Sequence, residues 1–316
     1  MNRRIFLRLT ATGAAATGAA ASLVLSDRLF TSTNALGNMV ITDARDVKKI
    51  FMECGTCSRT FFHLLNRAFG YPLETEELAS DPLAGGLMNT QHQCGMLWGS
   101  ALAVGAESLR RHHDRDIAIA SAITATQHLV ASFSERTKCV DCRDITCDFN
   151  DTSQMVSFMA RSLPGGMMNL ICMNLAETWA PEAIRSATAG LSAVPAEISQ
   201  PPMSCASEVA EQMGFSDEEV VMVAGLAGGM GLSGKACGAL GAAIWLNSLA
   251  WCREHSGESG YSNPKVEEIM NAFNEATGSR MLCSRISGRC FETIGDHTDY
   301  VHHGGCDELI DMLARV

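Results

Sequence analysis

An all-α fold of two tandem helical bundles is what this 316-residue sequence predicts. Three observations lead there. Apolar residues recur at the helical period, and no convincing run alternates as a strand does. Aromatics are only 6% of the chain, against 28 glycines and 17 methionines, which suits closely packed helices better than a sheet. The third is a self-match between the two halves of the chain.

The match needs no gap. "AGGLMNTQHQCG" (84–95) aligns with "AGGMGLSGKACG" (227–238), and in both the cysteine follows the second glycine of the pair by eight residues. Upstream, the segment from Cys57 parallels that from Cys205. Downstream, "CRDIT" from Cys142 parallels "CSRIS" from Cys283, and "CMNLAETW" from Cys172 parallels "CDELIDML" from Cys306. Each half thus carries four cysteines in one order, with gaps of 37, 48 and 30 residues in the first half and 32, 46 and 23 in the second.

These landmarks set the boundaries. Residues 1–35 read as an export signal, 40–192 as a first and more divergent repeat, 193–202 as a linker with Pro195, Pro201 and Pro202, and 203–316 as a second repeat. Within the second repeat "PKVEEIMNAFNEATG" puts Val266, Ile269, Met270 and Phe273 on one helical face, opened by Asn263 and Pro264 and closed by Gly278. Ser216 and Glu219 form a capping box. Cys306 shares a helical face with Leu309, Ile310 and Leu313, which turns it inward.

The N-terminus bears on compartment. Arg3 and Arg4, then Ile5, Phe6, Leu7 and Arg8, precede a weakly apolar Ala/Gly/Thr stretch to Leu25. This resembles a twin-arginine signal, which exports proteins already folded. Thr33-Asn34-Ala35 is a tolerable cleavage site; an uncleaved signal would leave a membrane anchor. The expected location is therefore the periplasm.

Charge narrows the partners. The net charge is −11, with five lysines against nineteen arginines and no basic stripe beyond the N-terminus, so nucleic-acid binding has little electrostatic support. Walker, strand-linked dinucleotide, HExxH and serine-hydrolase motifs are missing.

"MSCASEVAEQMGFSDEEVVMVAGLAGGMGLSGKACGALGAAI" resembles the redox-active family named for its pattern, C-GCAxxG-C-C. The pattern maps onto Cys205, Cys237-Gly238-Ala239, Cys283 and Cys306, and in the first half onto Cys57, Cys94, Cys142 and Cys172. Ala242 stands where the family usually has glycine; the first half keeps that glycine as Gly99 but has Met96 for the alanine. A similar module accompanies haem and an iron–sulfur centre in split-Soret cytochromes. Here neither Cys-x-x-Cys pair continues to histidine, which excludes c-type haem attachment.

Four thiolates per repeat can hold a 2Fe–2S or 4Fe–4S iron–sulfur cluster. Cys57, Cys94, Cys142 and Cys172 would bind one centre and Cys205, Cys237, Cys283 and Cys306 another. The glycines would admit backbone N–H groups to the sulfurs and bring helices close, and a helix opening at Cys237 would favour its thiolate. Other chemistries stay open: two disulfides per repeat, a four-thiolate zinc site, or catalytic dithiols at Cys54–Cys57 and Cys139–Cys142. Cys147 and Cys290 follow the third cysteines closely enough to pair with or replace them, while Cys252 reads as a small core residue. His92, His302 and His303 lie near motif cysteines. The expectation is an exported electron carrier serving a redox partner protein, such as a membrane-bound or multihaem carrier, as a monomer or homodimer. A periplasmic thiol–disulfide oxidoreductase and a zinc- or disulfide-stabilised scaffold are the alternatives.

Overall fold

A computed structural model describes residues 44–162, 171–193 and 200–316; the expected signal and cleavage site and linker positions 194–199 lie outside the described residues. The first repeat contains α1 (Ala44–Cys54), α2 (Cys57–Phe69), α3 (Glu74–Ala79), α4 (Gly95–Arg111), α5 (Arg115–Thr137), the one-turn α6 (Cys142–Ile145), α7 (Thr152–Ser162) and α8 (Ile171–Leu191). The second contains α9 (Cys205–Gln212), α10 (Asp217–Ala224), α11 (Gly238–Glu254), α12 (Lys265–Thr277), the one-turn α13 (Cys283–Ile286), α14 (Ile294–His302) and α15 (Asp307–Arg315). Helices α2 to α8 correspond in order to α9 to α15, and α1 is an addition to the first repeat. Among the described residues there are no strands, only two isolated antiparallel bridges.

Helix ends fall where local chemistry places them. Thr56 and Ser204, at equivalent positions, cap α2 and α9, their hydroxyls accepting the N–H groups of Arg59 and Ser207. Glu219 reaches back to the Ser216 N–H at 3.1 Å, as the capping box requires. Gly278 closes α12 in the left-handed region, φ 61°. Asp114 caps α5, so "RRHHDRD" is a helix end and the start of the next helix.

The first repeat's core gathers round Trp179 of α8, which stacks on Phe61 of α2 and meets Phe133 of α5 edge-on. Helix α5 is long and apolar enough to cross a membrane by length and composition, but here it packs against α4, α8 and α10. The two repeats exchange contacts: α4 packs on α10 of the second repeat, and α11 packs on α3 of the first. Trp98 of α4 lies where a side chain at Gly241 of α11 would stand, so the helices meet over a glycine.

The glycine pair opens an unusual loop. Residues 85–89 have φ of 65°, 76°, 69°, 50° and 57°, and residues 228–232 have 59°, 80°, 70°, 55° and 61°. Each repeat therefore makes a left-handed turn of five residues, a hand that costs an L-residue about 1–2 kcal/mol. The turns are closed by backbone bonds between residues six apart, Gln91 N–H to Gly85 C=O and Gly234 N–H to Gly228 C=O, both 2.9 Å. This is the structural reason for glycine density at these positions, and the helical period gives no sign of it.

Glu77 ties α3 to α2. Its carboxylate, 2% exposed, accepts from His63 Nδ1 at 2.8 Å, Asn66 Nδ2 at 2.9 Å and the Leu73 N–H at 3.1 Å. Burial pushes this carboxyl up, but the bonds from His63 and Asn66 outweigh it and hold it below its ordinary value. Glu77→Gln is expected to lower stability by about 1–3 kcal/mol at neutral pH. The unfolded chain takes up the proton first as pH falls, so this contribution is present above the ordinary carboxylate pKa and fades through the lower folded value. Urea midpoints for the two proteins should converge on acidification.

Candidate functional site

Each repeat brings its four motif cysteines to one place, and seven of the eight stand at or beside a helix N-terminus. Cys57 and Cys205 are the first residues of α2 and α9, and Cys94 and Cys237 cap α4 and α11. Cys142 and Cys283 begin α6 and α13. Cys172 lies within α8. Cys306 differs from the sequence expectation only in its backbone: it caps α15 in the left-handed region, φ 64°, just before the helix, while its side chain packs on the core that holds Leu309, Ile310 and Leu313. It still turns inward, because the cap directs it to the other three cysteines.

A backbone clasp joins the second and third cysteines. The Cys94 N–H donates to Val140 C=O at 2.8 Å and the Cys142 N–H to His92 C=O at 2.6 Å. The same bonds recur between Cys237 N–H and Met281 C=O (2.9 Å) and between Cys283 N–H and Lys235 C=O (2.5 Å). The left-handed turns serve the first cysteine. The N–H of Gly85 hydrogen-bonds the Cys57 sulfur, and that of Gly228 hydrogen-bonds Cys205. Gly95 is needed for the same approach, since a Cβ there would lie 2.5 Å from Cys57 Sγ.

In the second repeat the four cysteines line one cavity of about 20 Å³, walled by Phe291, His297, Tyr300, Val301 and Leu309 among others. That is free space for about one water molecule. In the first repeat the mutual electrostatic influence of Cys57, Cys94, Cys142 and Cys172 marks the same gathering. Among the described residues no three cysteine, histidine or carboxylate side chains are set to clasp a single ion, and no disulfide joins the cysteines.

Proton affinities follow from burial and crowding. Burial first, and then neighbouring cysteines, push Cys142 and Cys205 up to about 12. Burial also raises Cys237 to about 12, with backbone N–H groups of Leu240 and Ala239 opposing it. Cys172, Cys283 and Cys306 are raised mainly by burial. Cys57 and Cys94 influence each other most: the neighbouring Cys94 thiol lowers Cys57, while Cys57 and burial raise Cys94. Such sets become thiolates readily when a cation neutralises them. The donors are all soft sulfur and are met by backbone N–H groups, a chemistry that fits an iron–sulfur core.

Other sequence candidates sort differently. Cys54 neighbours Thr60, Arg59, Glu77 and Asp81, and Cys139 directs its S–H to Thr137 C=O at 3.4 Å. Neither Cys-x-x-Cys pair is the close one; Cys57 has Cys94 instead. Cys252 is a core residue whose S–H meets Glu258 C=O at 3.3 Å. Cys290 is exposed. His302 and His303 face solvent, while His92 serves through its carbonyl.

The sequence missed several neighbours. Tyr300 places its hydroxyl 3.7 Å from Cys306 Sγ. His297, 2% exposed, lines the cavity with Nδ1 on Met203 C=O at 3.0 Å. Cys147, by contrast, was named from the sequence, and its buried thiol lies near Cys142 and Cys172. Tyr261, from the second repeat, stands by Cys57 and Cys142 of the first. Its scarcity was the available signal: the chain has three tyrosines, and two of them flank the cysteine centres.

The family described as "Putative redox-active protein (C_GCAxxG_C_C)" matches the chain twice, over residues 55–180 and 203–316. No curated protein and no solved structure gives a significant match. The two matches cover most of the chain, which belongs to this family as a tandem duplication.

Proposed function

We propose that this duplicated member of a redox-active family is an exported electron carrier holding an iron–sulfur cluster at each four-cysteine centre. The convergence carries the reading. Cysteines separated by more than a hundred residues in each repeat meet, seven of the eight at helix N-termini, with an N–H from the left-handed turn on the first sulfur. Helix N-termini and backbone donors stabilise thiolates, and hydrogen bonds to cluster sulfurs and burial tune reduction potential. The signal at Arg3–Arg4 supports export of a protein loaded before translocation.

A second reading has its own support. The lowered Cys57 thiol beside Cys94 suits thiol–disulfide exchange, with Cys57 as the nucleophile.

Anaerobic purification of the full chain, without chelators, decides between them. The carrier is expected to show broad visible charge-transfer absorption with matching iron and acid-labile sulfide. A colourless, iron-free protein overturns it: a redox-dependent thiol count would then favour the dithiol, and stoichiometric zinc the scaffold.

A further inference from the structure

We propose that Gln93 couples the two centres, so that one chain passes an electron internally between them. The proposal rests on the iron–sulfur reading above and adds a function that two independent carriers would lack.

Gln93 is completely buried and immediately precedes Cys94. Its Oε1 accepts the N–H of Ala236 at 2.9 Å, and Ala236 immediately precedes Cys237. A route from Cys94 to Cys237 therefore runs through covalent bonds with one hydrogen bond between them. The same amide's Nε2 donates to Gly229 C=O at 3.1 Å and to Ser233 Oγ at 3.2 Å. Gly229 is next to Gly228, whose N–H meets the Cys205 sulfur. One side chain of the first repeat thus touches the backbone beside two cysteines of the second.

The arrangement has no mirror. Ala236 occupies the position equivalent to Gln93, and its methyl group cannot return the contact. Burying a primary amide is costly unless its hydrogen bonds are satisfied, and here they are satisfied only by the other repeat's cysteine loop. The Lys235–Asp141 ion pair, 3.0 Å, adds a second link between the loops, and Asp141 precedes Cys142. Electron tunnelling decays less steeply along bonded paths than through empty space, so Gln93 is a positioning residue on a route bonded throughout.

The transfer balances simply. One electron leaves iron held through Cys94 and arrives on iron held through Cys237, or the reverse; one centre is oxidised, the other reduced, and no proton or atom moves.

The test uses the full chain, with iron and sulfide first quantified per molecule. Loaded protein is then partly reduced by a one-electron photoreductant, and relaxation between the centres is followed by absorption and paramagnetic resonance. Cys94→Ser and Cys237→Ser chains supply each centre's spectrum. The expected result is a relaxation rate independent of protein concentration, with spin–spin broadening in the doubly reduced state. Gln93→Met, similar in length but unable to hydrogen-bond, should slow that rate several-fold. A relaxation rate proportional to concentration in the unaltered loaded protein overturns the proposal, whatever the variants do. So does an unchanged rate in loaded Gln93→Met. A wild-type chain without iron overturns the iron–sulfur reading itself, a failure seen before any rate is measured.

Discussion

A Cys237→Ser chain is expected to carry half the iron and acid-labile sulfide of the unaltered protein, with the first centre still loaded. Cys237 is positioned by three independent devices: the bond from its N–H to Met281 C=O, the start of α11, and the N–H groups of Ala239 and Leu240 on its sulfur. Serine keeps the backbone devices and replaces only the soft donor. The change therefore removes a ligand with little effect on the fold, and the loss of stability should come chiefly from the lost metal, which is binding free energy on the folded state. Cys94→Ser should do the same to the first centre. Cys252→Ser is the control, because that sulfur is a core atom remote from the backbone clasps. Iron unchanged in Cys237→Ser would remove the residue from the ligand set.

Gly238→Ala should be the most damaging single-atom addition near the site. A Cβ at Gly238 would overlap the Leu226 carbonyl oxygen and press on Leu226 carbon atoms. The obstacle is backbone, so it cannot be avoided by a rotamer change. Either α11 or the loop entering the left-handed turn must shift, and Cys237 stands at that junction. Overpacking of this kind costs about 1–3 kcal/mol or more, enough to matter against ordinary domain stability. The expected outcome is a lower thermal midpoint and loss of the second centre's iron, with the first centre retained. A Gly238→Ala protein with full iron and an unchanged midpoint would show that the close approach is not needed.

How far the site was legible varies residue by residue. The eight cysteines and their order were readable because the duplication preserves landmarks at nearly constant spacing, and seven helices of each repeat correspond in sequence order. The helix from Lys265 to Thr277 and the capping box at Ser216 were readable because period and capping are local effects. The inward turn of Cys306 was readable from the apolar stripe, but its left-handed cap conformation, φ 64°, was not. Tyr261 was beyond local reading, since its neighbours Cys57 and Cys142 belong to the other repeat.

The sequence by itself determined the helical class, the duplication and the order of the eight cysteines, because these depend on periodicity, composition and spacing along the chain. Only the tertiary structure decided the hand of the glycine turns, the backbone clasp between second and third cysteines, and the crossing of α4 and α11 between repeats. Those features depend on contacts between residues far apart in sequence. A left-handed turn is unfavourable taken alone, and it persists because its carbonyls, its N–H groups and the first cysteine's sulfur are satisfied together once the bundle closes.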